Sequence, residues 1–223
     1  MLLLPARIAP TYGRALLQRR GVSTLSTNPF IKVFPNAALD HGHLLTYLDT
    51  NPPIHRLAIG STTTLPPTPR SFSENGEFLA ILTDVLRHHA AEDPDLIAQA
   101  RAFAGPGGAT LGSGGAFFAR QQRQRGTAAG LGGGGASAQG GAGGAGIGGH
   151  IHLSDRRNPP DYGRIAWPED ILGSIEVDGS GAIVGRFEPS GTYRILTNEG
   201  ILGLSDFLRT KLVERLKEEE RRG

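Results

Sequence analysis

Between Gly105 and Gly149 the chain runs through 45 residues that hold 19 of its 33 glycines, with Ala, Ser and Gln filling most of the rest. Glycine loses more conformational freedom on ordering than any other residue, and this tract offers little apolar surface to bury in return. Residues 105–149 are therefore expected to form a disordered Gly/Ala-rich insert, with Ala116-Phe117-Phe118 as its one apolar spot. The tract leaves two blocks, and each holds too few large apolar residues to bury a sizeable core alone. The expectation is one α+β domain made of residues 28–104 and 150–221. Its small mixed or antiparallel sheet would be assembled from two β-then-α blocks across the insert.

Local patterns give the blocks their elements. Phe30–Phe34, His43–Asp49 and Leu57–Thr64 are β-rich runs ended by Pro35, Pro52-Pro53 and Pro66-Pro67. Ser71 and Glu74 have capping-box spacing, followed by Phe78, Leu82, Val85 and Leu86 at helical intervals. His88 and His89 fall in the last turn of that helix, and Asp93-Pro94 opens a second one. After the insert, His150–Leu153 reads as a strand. Ser174–Asp178, Ala182–Glu188 and Thr192–Thr197 read as a meander with turns at Asp178-Gly179-Ser180-Gly181 and Pro189-Ser190-Gly191. Ser205 can cap a final helix with a Leu204, Leu208, Leu212, Leu216 stripe. A faint internal echo joins the blocks: His43 precedes Asn51-Pro52-Pro53 by the same spacing that separates His150 from Asn158-Pro159-Pro160.

The N-terminus carries an address. Arg7, Arg14, Arg19 and Arg20 alternate with apolar residues, and the first acid in the chain is Asp40. An arginine-rich, acid-free, amphipathic start is the composition of a mitochondrial transit peptide. Arg20-Gly21-Val22-Ser23 resembles a matrix-processing site with arginine near the cut, which places the transit peptide at residues 1–23 and the protein in the mitochondrial matrix. Without those four arginines, 19 basic residues face 21 acidic ones, a formal charge of −2. That balance argues against a nucleic-acid footprint. No apolar run approaches the roughly 20 residues that span a bilayer. The chain has no cysteine, so disulfides, thiolate nucleophiles and cysteine metal sites are excluded.

Three constellations can carry chemistry. His150-Ile151-His152 places two imidazoles on one strand face, and with His43 they form a candidate set for a divalent metal, the alternative to the leading expectation of no cofactor. The loop from Asp155 to Arg164 holds Arg156, Arg157, Asp161, Tyr162 and Arg164, with Pro159-Pro160 stiffening it. Arginine forks suit carboxylate or phosphate, and Trp167 just beyond can anchor an interface. This loop is the candidate binding surface. Gly141–Gly146 matches a dinucleotide pattern, but no helix is expected after it and such matches are common in glycine tracts. There is no phosphate-loop lysine motif and no nucleophile elbow.

With no catalytic signature, the leading expectation is a non-catalytic accessory or assembly factor that binds a larger mitochondrial complex. The alternatives are a small histidine-ligated metal-dependent enzyme and an RNA-associated factor in mitochondrial translation.

Overall fold

The computed structural model describes residues 23–36, 42–104, 148–160 and 164–222. The expected insert therefore lies almost wholly outside the described residues, as do the expected transit peptide and the pair Asp161 and Tyr162.

The fold is α+β. The first block forms a five-stranded antiparallel meander: β1 (Ser23–Leu25), β2 (Asn28–Asn36), β3 (Gly42–Thr46), β4 (Gly60–Thr62) and β5 (Phe72–Glu74), in that spatial order. Helices α1 (Gly76–His89) and α2 (Pro94–Ala104) follow. The second block forms an antiparallel sheet of β6 (Gly149–Ser154), β7 (Ile171–Val177) and β8 (Glu188–Pro189). A two-residue ribbon, β9 (Leu196–Thr197) with β10 (Gly200–Ile201), and helix α3 (Asp206–Arg222) complete it.

The strands of the two blocks pair within their own block, so the sheet expected to bridge the insert is two sheets. What the blocks share is the core. One contiguous cluster takes Ile31, Leu45, Ile59 and Phe78 from the first block and Ile151, Ile175, Ile195 and Leu212 from the second. Burying each face against the other supplies the apolar contact neither block could make alone. Polar ties cross the same seam. The Asn28 amide donates to the Leu202 carbonyl at 3.0 Å, and the Ile195 amide donates to Glu74 Oε1 at 2.8 Å.

That last bond explains a departure from the sequence reading. Ser71 and Glu74 have capping-box spacing, yet they belong to β5 and its approach, where Glu74 is drawn across the seam and Ser71 Oγ bonds Thr62, Thr64 and Thr68. Asn75 caps α1 instead, accepting from the Glu77 amide at 3.0 Å while its own amide group satisfies three carbonyls of residues 55–58. A tertiary partner for Glu74 outweighed a local one, as often happens with weak local preferences.

The other helix starts follow the sequence and are wired together. Asp93 Oδ1 accepts from the Asp95 amide at 3.1 Å and caps α2. Its Oδ2 accepts from Ser205 Oγ at 2.9 Å, and Ser205 Oγ in turn accepts from the Leu208 amide at 3.1 Å and caps α3. Helix α3 then runs back over the first block, where its far end meets Arg56 through Glu219. In each sheet a glycine lets an aromatic ring lie across its strand: Gly60 beneath Phe72 and Gly173 beneath Phe187, where a Cβ would collide with ring and backbone. No helix among the described residues is long and apolar enough to cross a membrane.

Candidate functional site

The arginine-rich loop divides sharply in the structure. Arg157, expected to present a fork outward, turns inward and is 3% exposed. All five of its donors are used within the chain. Nε bonds Asp170 Oδ1 at 2.7 Å. Nη1 reaches the carbonyls of Ile195 at 2.8 Å and Gly200 at 3.5 Å, and Nη2 reaches those of Glu169 and Arg194 at 2.8 Å each. The guanidinium also lies over the Tyr193 ring at 5.4 Å. It is a structural hub rather than a ligand fork, and the reason is geometric: only a planar five-donor group can satisfy a carboxylate and four diverging carbonyls at once.

Asp155 shares this interior and is fully buried. Its carboxylate accepts from the Arg157 and Gly203 amides at 2.9 and 2.8 Å and from the Tyr193 hydroxyl at 2.8 Å. Burial raises its pKa above the ordinary carboxylate value, against the opposing pull of Arg157 and these donors. Burial likewise raises the Tyr193 and Tyr47 phenols, with Asp155 adding to both, so each keeps its proton. Buried charge of this kind is tolerated because every lone pair that matters has a donor.

The consequence for the surface is a rigid platform. The Arg157–Asp170 pair anchors the short turn Pro168–Asp170, and the Asp170 amide donates to the Trp167 carbonyl at 2.8 Å. Trp167 is thus held at the edge of a fixed turn while its indole stands 69% exposed, with Ile165 at 38% beside it. The tryptophan does not cap the core. Arg156 stays at the surface in an ion pair with Asp95 at 3.4 Å, and Arg164 is exposed.

Beside this platform lies a cleft of about 90 Å³ between α2 and β6. Gln99 and Phe103 line it from α2, His150 and His152 from β6, and Pro160, Arg164 and Ile165 from the loop. His150 and His152 share a face as the alternation of a strand requires. His152 Nδ1 lies 3.0 Å from Ser174 Oγ on the neighbouring strand. The third histidine of the candidate metal set does not join them. His43 sits on β3 opposite Pro35 and Thr62, in the other sheet. Among the described residues no three His, Asp or Glu side chains converge as metal ligands.

Burial pushes the His152 imidazole below its ordinary pKa, and neighbouring His150 adds to the effect. An imidazole in the unfolded chain binds its proton near pH 6.5. Between that value and the lower folded one, the unfolded state holds more protons, so stability falls as pH drops through this window. Wild type should therefore lose more melting temperature between about pH 7 and pH 5 than a His152→Gln variant, in which this term is absent. Equal losses in the two proteins would show that His152 is not a stability-linked titrating group.

Sequence reasoning found the histidine pair, Arg164 and Trp167. It did not anticipate Gln99 and Phe103 as their neighbours, because both come from α2, on the far side of the insert. It placed Asp155 at the head of a binding loop and gave Tyr193 no role, since nothing local reveals a buried hydrogen bond across 38 residues. No family model, no curated protein and no solved structure matches this chain.

Proposed function

We propose that this chain is a mitochondrial matrix protein that acts as a non-catalytic accessory or assembly factor, docking on a larger protein complex through Trp167 and Ile165 beside the α2–β6 cleft. The observation that carries the reading is the rigidly supported tryptophan, 69% exposed. A large aromatic exposed on a turn whose backbone is anchored is the profile of an interface anchor. Two facts support it. The polar groups with chemical potential, Asp155, Arg157 and Asp170, are engaged by one another and by backbone. The cleft is about 90 Å³, against roughly 300 Å³ or more for small-molecule sites. The import half of the reading rests on the arginine-rich, acid-free start; β1 begins at Ser23, so a cut just before Ser23, one residue short of the 1–23 peptide read from the sequence, keeps the β1–β2 pairing whole.

The test is the native size of the tagged protein in gently solubilised mitochondria. Wild type should migrate with a large assembly, whereas Trp167→Ala should shift to its own mass, the loss expected from removing a contact worth about 2 kcal/mol or more. The variant's melting temperature should stay near wild type, because the indole contributes little to the core. Migration of wild type at its own mass, or absence from mitochondria, would sink the proposal.

A further inference from the structure

We infer that the α2–β6 cleft binds a single carboxylate side chain carried on an extended segment of the partner protein, which adds to the outer edge of β6. The inference rests on the docking face proposed above and gives its partner a chemistry.

The edge comes first. Strand β6 is terminal in its sheet. The His152 carbonyl accepts from Gln99 Nε2 at 3.2 Å, so it faces away from β7. On β7 the carbonyl of Glu176, the residue opposite His150, accepts from the Val184 amide at 3.1 Å, again away from β6. In an antiparallel pair the N–H and C=O of one residue point to the same side. The amides of His150 and His152 and the carbonyl of His150 therefore face outward, and no described residue pairs with them. An unpaired edge of this kind is a template for an added strand.

The charge comes second. Two histidines and Arg164 line the cleft, and among the described residues no carboxylate does. Glu176, the acid opposite His150, lies against Gly185 instead. Arg156 is already paired with Asp95 further along the groove, but no ion-pair partner for Arg164 exists among the described residues. Gln99 and Ser154 add hydrogen-bonding groups, and Phe103 and Ile165 supply apolar walls. The Arg164 fork supplies the charge that favours a carboxylate, and the imidazoles offer ring N–H donors. The size comes third: about 90 Å³ admits one side chain and no more.

The probe is N-acetyl-glutamate N-methylamide, which presents one carboxylate between two peptide groups, titrated into the full chain and followed by amide NMR. Its glutamine analogue and inorganic phosphate are the controls. The glutamate probe should move the His150 and His152 amide protons downfield saturably in the millimolar range. The glutamine analogue should not, and Arg164→Gln should weaken binding by about fivefold or more. Arg164→Lys should recover part of the affinity, since a folding defect would affect both variants alike. No saturable shift, equal shifts from the glutamine analogue, or tighter binding of phosphate would each overturn the inference. Its failure alone leaves the docking role of Trp167 standing, because the native-size experiment reads that separately.

Discussion

Replacing Arg157 by methionine will destabilise the protein by about 3–5 kcal/mol, the range seen when one partner of a buried ion pair is removed. The side chain is 3% exposed and its partners Asp155 and Asp170 are 0% exposed. Methionine fills a similar volume but leaves two carboxylates without their cation and takes a donor from each of four carbonyls, of which those of Ile195 and Glu169 keep a backbone partner. Orphaned buried acceptors cost the full desolvation of each group, which is why the loss exceeds the net worth of the bonds themselves. Lysine should rescue little, because one ammonium cannot reach acceptors spread around a planar fork. Urea denaturation at neutral pH measures the loss. A second change separates charge from packing. Adding Asp155→Asn to the methionine variant removes one uncompensated charge and should recover part of the stability, although Asp155→Asn alone should destabilise wild type. Additive losses in that cycle would refute a coupled network. The same variant bears on function: without the Arg157–Asp170 anchor, the turn that holds Trp167 loses its support.

Leu212→Ala will cost about 2–5 kcal/mol, the range for a large-to-small change at a fully buried site. Leu212 is 0% exposed. It belongs by sequence to the second block, yet α3 packs along α1 of the first. Arg215 and Glu219 of α3 pair with Asp84 and Arg56 of the first block. The cavity should therefore lower hydrogen-exchange protection in β2 and β3 as much as in β6 and β7, with one unfolding transition for the whole molecule. Protection lost only in the second block would show that the two halves unfold independently.

How far the sequence could be read depended on the range of the interaction involved. Asp93-Pro94 and Ser205 were legible as helix starts because a cap is a contact between residues two or three apart. The stripe ending at Leu216 was legible because burial repeats with the helical period. The Asp178 turn was also legible: its carboxylate accepts from Ser180 and Ala182, and Gly181 takes the left-handed backbone at φ 81°. Ser71 and Glu74 misled for the converse reason. Their spacing satisfies a local rule, but Glu74 found a stronger partner in the Ile195 amide 121 residues away. The meander was only partly legible. Ala182–Glu188 contributes one bridge, Ile183 to Val177, before β8, and the run to Thr197 turns away to form the ribbon with β10.

The candidate site shows the same division. Sequence alone marked His150, His152, Arg164 and Trp167, since strand alternation, charge and a lone tryptophan are visible one residue at a time. It also marked Arg157, but not its direction. Whether an arginine is a free fork or a buried hub depends on which carbonyls converge on it, and those of Arg194, Ile195 and Gly200 arrive from 37 to 43 residues further along. The sequence by itself determined most of the elements, the caps at Asp93 and Ser205, the α+β class and the acid-free arginine-rich start, all of which rest on local periodicity and composition. The tertiary structure decided that two sheets share one core, that His43 stands in a different sheet from His150 and His152, and that Arg157 faces inward while Trp167 faces out. These are properties of non-local contacts, and the free energy of a non-local contact depends on what the rest of the chain places beside it.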